Sequence, residues 1–138
     1  MTAPDLTDED YAALADFRNA LRQFQAFSED KATAQGLTPQ QHQALLAIRG
    51  AQGRYPATVG FVADRLILKP HSATGLIDRL VALDLVERQP APHDRRQTLL
   101  VLTPRARAVL AHLSATHREE IRRLKPLLAT LLAQLDAV

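Results

Sequence analysis

The sequence predicts a mainly α-helical fold that carries one small β-wing, on two observations. Apolar residues recur at spacings of three and four through most of the 138 residues, and most of these runs open on a capping residue. Only between Leu85 and Thr103 does the period change to the alternation of strands. With 46% apolar residues the chain is able to bury a core.

Thr7 followed by Asp8-Glu9-Asp10 places a cap and three acids at the positive end of a first helix. Leu14, Phe17, Leu21 and Phe24 form its apolar stripe, and Gly36 ends it. A helix this long exceeds what a small core needs, so part of the stripe is expected to face a second subunit. Thr38-Pro39-Gln40-Gln41 reads as a capping box with proline at the first helical position. The helix it opens carries Leu45, Leu46 and Ile48 and fades at Gly50 and Gly53. Thr58 caps a short helix to about Leu66, and a tight turn occupies Ile67–Pro70. A helix from Pro70 to about Leu83 follows, with Ala73, Leu76, Ile77, Leu80 and Leu83 inward.

Leu85–Gln89 and Thr98–Thr103 read as strands, joined by a prolyl, charged tip at 90–97. Thr103-Pro104 caps another helix, whose stripe is Leu110, Leu113, His117, Ile121 and Leu124. Pro126 is expected to kink or restart it. Leu127, Leu128, Leu131, Leu132 and Leu135 make the last stripe. No repeat or linker interrupts the chain, so 1–138 reads as one domain.

Composition excludes several function classes. The absence of cysteine rules out disulfides and thiolate metal sites. No tryptophan and six other aromatics leave little for stacking single-stranded nucleic acid. There is no apolar run of transmembrane length. The acidic start at Asp5, Asp8, Glu9, Asp10 and Asp16 is unlike a signal peptide, so a cytoplasmic protein is expected. No nucleophile–base motif, glycine-rich phosphate loop or carboxylate pair is present, so no enzyme is expected. Residues 49–107 carry a net charge of +5 and the remainder −3, which suits a protein that turns one face to phosphates.

Two short helices across a tight turn, followed by a hairpin, is the order of a winged helix-turn-helix, here 38–103. A helix fits the DNA major groove with its first turn at the base edges, and a basic hairpin beside it reaches phosphates or the minor groove. The residues Arg65-Leu66 through Leu80, Leu85-Val86-Glu87-Arg88, Pro90-Ala91-Pro92-His93-Asp94-Arg95-Arg96 and Leu102-Thr103 resemble the MarR (multiple antibiotic resistance regulator) family. Gly36–Gln41 resembles the entry to that family's second helix, and the resemblance spans about 36–110.

The resemblance implies a transcriptional regulator, in the form of a ligand-responsive repressor. It implies a homodimer built from the helices at 8–35 and 104–138, bound to a pseudo-palindromic double-stranded operator. It implies that Asp94 orients Arg96 through an ion pair, that Arg96 enters the minor groove, and that Arg95 sits on phosphate. Ser72 and Thr74 would approach bases or backbone, and Arg65 and Arg79 would anchor phosphates. It also implies a small aromatic or phenolic ligand, with Phe17, Phe24, His42, Leu46 and Leu66 as lining positions. No cofactor is expected.

The sequence departs from the family at several places. Ile67, Asp84 and Ala106 stand where glycine is frequent, and Gly75 stands where a longer side chain is common. Lys69 fills a capping slot that favours Ser or Thr, where a cation opposes the helix dipole. It is therefore expected to contact a phosphate, with His71 beside it. Two other readings stay open. One is a zinc-responsive regulator using His42, His71, His93, His112 or His117, although only His112 and His117 are close, at a spacing poor for one helical face. The other is a helical dimer that has lost DNA binding.

Overall fold

Most helix starts are written in side chains that satisfy otherwise unpaired amides. Thr38 Oγ1 accepts from the Gln41 amide at 3.1 Å, while Gln41 Oε1 accepts from the Thr38 amide at 3.0 Å. Thr58 Oγ1 accepts from the Phe61 amide, and Thr103 Oγ1 from the Ala106 amide. The computed structural model describes residues 5–136, and its helices and strands are α1 (Asp8–Ala34), α2 (Pro39–Ala51), α3 (Val59–Leu66), α4 (Pro70–Ala82), β1 (Val86–Pro90), β2 (Thr98–Leu102) and α5 (Pro104–Asp136). The mainly helical fold with one small sheet is the one expected. Among the described residues no helix is long and apolar enough to cross a membrane.

The chain divides into two compact units. Lys31–Ser114 forms one, and residues up to 30 together with those from 115 onward form the other. The first unit is closed by a core that includes Leu45, Ile48, Val62, Leu76, Ile77, Leu80, Val86 and Leu102. Leu45, Ile77 and Leu80 have no exposed surface, and burial of each such side chain is worth about 1.5–3 kcal/mol. The hairpin is antiparallel, with Val86 opposite Leu102 and Pro90 opposite Thr98. On its other edge the Leu100 amide donates to the Ala57 carbonyl at 2.8 Å, which ties the hairpin to the segment before α3.

In the second unit Ala13, Ala20 and Leu131 are buried, while Leu14, Phe17, Leu21, Ile121 and Leu132 are exposed. His117 is buried with its Nε2 sharing a 2.7 Å hydrogen bond with Ser28 Oγ. The rings of Phe24 and Phe27 meet His117 edge-on at 5.9 and 5.8 Å.

Two details differ from the sequence reading. Pro126 does not restart a helix, because α5 runs through it without a break. Proline removes one amide donor, and on an exposed stretch water is able to satisfy the carbonyl it leaves. Leu83 is 42% exposed rather than inward, because the helix ends there and its backbone turns toward Asp84. Leu135 of the last stripe lies outside the described side chains.

Ile67 ends α3 in the left-handed region, at φ 55° and ψ 50°, and is 92% exposed. A β-branched residue there costs about 1–2 kcal/mol, and exposure returns nothing to offset it. Asp84 also takes a left-handed turn, at φ 58°, which a short polar side chain tolerates better. Replacing Ile67→Gly is expected to stabilise the fold by about 1 kcal/mol after glycine's own entropy is counted. In thermal melts at fixed protein concentration the midpoint should rise by about 2–6 °C. A lower midpoint would show that Ile67 is not strained.

Candidate nucleic-acid interface

α4 has two unlike sides. Ala73, Leu76, Ile77 and Leu80 are buried, whereas Lys69, His71, Ser72, Thr74 and Arg79 are exposed. The spacing of three and four places the apolar residues on one stripe, so the polar ones share the opposite edge. Lys69 occupies the capping position with no side-chain cap hydrogen bond, so its ammonium is not used within the helix end. Thr74 Oγ1 donates to the Pro70 carbonyl at 3.0 Å, which turns the hydroxyl back along the helix. At Gly75 a Cβ would meet nothing within 4 Å, so this stretch of the edge is open space.

One polar contact ties α4 to the hairpin, and two tie the end of α4 to the start of α5. The Arg88 guanidinium on β1 pairs with the Asp78 carboxylate on α4. Arg105 Nη1 donates to the Leu83 carbonyl at 2.9 Å, closing the helix C-terminus. Thr103 Oγ1 donates to the Asp84 carbonyl at 2.8 Å. Asp78 is thereby committed to the hairpin, and its neighbour Arg79 is left exposed. Sequence reasoning missed the Asp78–Arg88 tie, because it joins residues ten apart through the geometry of a helix on a strand.

The hairpin tip presents Arg95 and Arg96, both exposed. Asp94 Oδ1 accepts from the Arg96 amide at 3.0 Å, and the Gln97 amide donates to the Asp94 carbonyl at 3.0 Å. Asp94 therefore shapes the tip through the backbone of Arg96, and the expected ion pair to its guanidinium is replaced by this turn. The Ala91 amide donates to the Gln97 carbonyl at 2.9 Å and closes the base of the tip.

Arg65 lies apart from this edge, on aromatic rings. Its guanidinium carbon is 5.3 Å from the Tyr55 centroid and 5.0 Å from that of Phe61. Arg54 sits 4.9 Å from the same Tyr55 ring, and the two rings stack at 5.8 Å with 29° between their planes. Neither Arg54, Tyr55 nor Phe61 was singled out from the sequence, because their meeting depends on how α3 packs on α2.

The five ligand positions divide between the units. Phe17 lines an apolar groove of about 300 Å³ with Ala13, Leu14, Leu128, Leu131 and Leu132. Phe24 packs on His117. His42 is buried on α2, Leu46 is exposed on the same helix, and Leu66 packs half-buried on the core. Among the described residues no three His, Asp or Glu side chains gather as a metal site.

The family model of the MarR family matches residues 35–97, the stretch that holds α2, α3, α4 and β1. The winged helix-turn-helix part of the chain is thus similar to the MarR family. RV1404 from Mycobacterium tuberculosis is 27% identical, covers 98% of this chain and 95% of its own, and superposes with a TM-score of 0.68. AbsC of Streptomyces coelicolor, a MarR family transcriptional regulator, is 22% identical over 98% of this chain and 92% of its own, with a TM-score of 0.73. A mutant of Staphylococcus aureus MepR bound to an oligodeoxyribonucleotide is 18% identical over 96% of this chain and 99% of its own, with a TM-score of 0.67. No curated protein matches the sequence.

The turn at Asp94 makes a local prediction. Asp94→Ala should speed hydrogen exchange at the Arg96 amide by tenfold or more, corresponding to a net bond of about 1 kcal/mol or above. Asp94→Asn keeps an acceptor and should stay near the parent rate. Equal exchange in parent and Asp94→Ala would show that the carboxylate does not hold the tip.

Proposed function

We propose that this chain is a MarR-family transcriptional regulator that binds double-stranded DNA as a homodimer and represses by occupying its operator. The observation that carries the reading is the exposed edge of α4 beside the Arg95–Arg96 tip, with Asp78 and Arg88 holding the two elements together. In the proposed complex the first turn of α4 enters the major groove, with Ser72, His71 and Thr74 at base edges. Lys69, Arg79 and Arg95 contact phosphates, and Arg96 enters the adjacent minor groove. The cationic tip has no packing role that would otherwise account for it.

A dimer is supported by the exposed Leu14, Phe17, Leu21, Ile121 and Leu132, which are large apolar side chains beside the 300 Å³ groove. Apolar surface of this kind marks an interaction site. Two-fold symmetry would then present two copies of α4 to two half-sites. A small aromatic or phenolic ligand, contacting some of Phe17, Phe24, His42, Leu46 and Leu66, would act by binding the free dimer more tightly than the DNA-bound one. The protein would work in the cytoplasm, where its operator is.

Selection of bound fragments from a random-sequence duplex library tests the reading. The expected product is a pseudo-palindrome with half-sites about 10 bp apart, bound at two chains per duplex in sedimentation. Enrichment of no sequence at low salt would contradict DNA binding, and one chain on a single half-site would contradict the dimer.

A further inference from the structure

We infer that Arg54 and Arg65, laid against Tyr55 and Phe61, form an oxyanion site that takes a phosphodiester of the DNA backbone. The inference rests on the DNA-binding reading above and carries the DNA-facing surface beyond α4 and the hairpin to the α2–α3 loop. Both guanidiniums line one cavity of about 180 Å³, whose floor is Leu46, Ala47 and Gly50. At Gly50 a Cβ would meet nothing within 4 Å, so the approach over that floor is open.

Two cations that share one aromatic ring repel each other. Such a pair is ordinarily relieved by a carboxylate, yet among the described residues none lies within 4.0 Å of either guanidinium. Asp64, next to Arg65 in sequence, makes no such pair. The electron-rich ring faces offset part of the repulsion and restrict the rotamers of both side chains. Only one donor is committed locally, from Arg54 Nη2 to Tyr55 Oη at a long 3.5 Å. The other N–H groups remain for an oxyanion, which planar guanidinium forks bind through paired hydrogen bonds. The complement missing from this cavity is therefore an anion, and one held without being enclosed.

An oxyanion could come from DNA or from a small free anion. Exposure favours DNA. A lone anion on two exposed arginines competes with water and salt for a weak gain. A duplex engages this pair together with Lys69, Arg79, Arg95 and Arg96 and releases counterions at each phosphate neutralised.

The test uses the full chain and the duplex selected by the parent protein, with binding titrated against salt. Arg54→Gln should weaken binding and reduce the slope of log K against log salt by about 0.9 for each phosphate no longer neutralised. Arg54→Lys should keep most of the slope. Tyr55→Leu should weaken binding while Tyr55→Phe stays at the parent level, because the ring rather than the hydroxyl positions the arginines. Thermal melts of each variant separate misfolding from weakened phosphate binding. If Arg54→Gln keeps the parent slope and affinity while Arg96→Ala loses both, the oxyanion site is overturned and the DNA-binding reading stands. If the parent binds no duplex, both fall.

The source is read from fluorescence. The chain has two tyrosines and no tryptophan, so Tyr11→Phe leaves Tyr55 as its sole reporter. Its emission should change on adding duplex and stay constant with inorganic phosphate at an equal phosphate concentration. An equal response to inorganic phosphate would assign the site to a free anion and overturn the DNA assignment.

Discussion

Burial of Ala73, Leu76, Ile77 and Leu80 against the core of the Lys31–Ser114 unit is the constraint from which the proposed function follows. Those four residues fix the rotation of α4 about its own axis, because no other face of the helix is apolar enough to bury. The opposite edge is then left to polar side chains, of which Asp78 pairs with Arg88 and Thr74 bonds the Pro70 carbonyl. The polar ties add direction rather than energy. An exposed pair such as Asp78–Arg88 is worth about 0–1 kcal/mol, yet it joins α4 to the hairpin, while Arg105 on the Leu83 carbonyl joins the end of α4 to α5. A helix rigid in rotation and a hairpin rigid in angle are what groove reading requires.

The same logic explains why some features were legible in the sequence and others were not. Helix starts were legible because Thr38, Thr58 and Thr103 act on amides three residues away, within one local window. The hairpin was legible because alternation is also local. Pro126 does not restart the helix because proline punctuates isolated helices more strongly than it does a long helix with exposed turns around it. Leu83 misled because periodicity does not know where a helix stops. The site divides the same way. Arg95 and Arg96 were visible as a charged tip, whereas the Asp78–Arg88 tie and the meeting of Arg54, Tyr55, Phe61 and Arg65 exist only once helices pack. Asp94 was assigned to the right loop with the wrong partner atom, since spacing alone does not separate a carboxylate bound to an amide from one bound to a guanidinium.

Ile67 and Gly75 are two places where local preference is set aside on or beside α4. One holds a β-branched residue in a left-handed turn, and the other puts glycine in a helix interior. Ile67 strains the turn before α4, whereas Gly75 weakens the helix interior and leaves its outer edge free of bulk. Residues on that edge therefore have room to meet a ligand as large as a duplex, while the buried stripe keeps the helix in place.

Chemical footprinting of the bound duplex tests the central claim most directly, since it reports which groove each element occupies. The expected result is guanine N7 protection in the major groove of each half-site, flanked on the same face of the duplex by sugar protection in the minor groove where Arg96 enters. Protection of the major groove alone, or of neither groove beyond the phosphates, would contradict the claim that α4 and the hairpin read DNA as one rigid face.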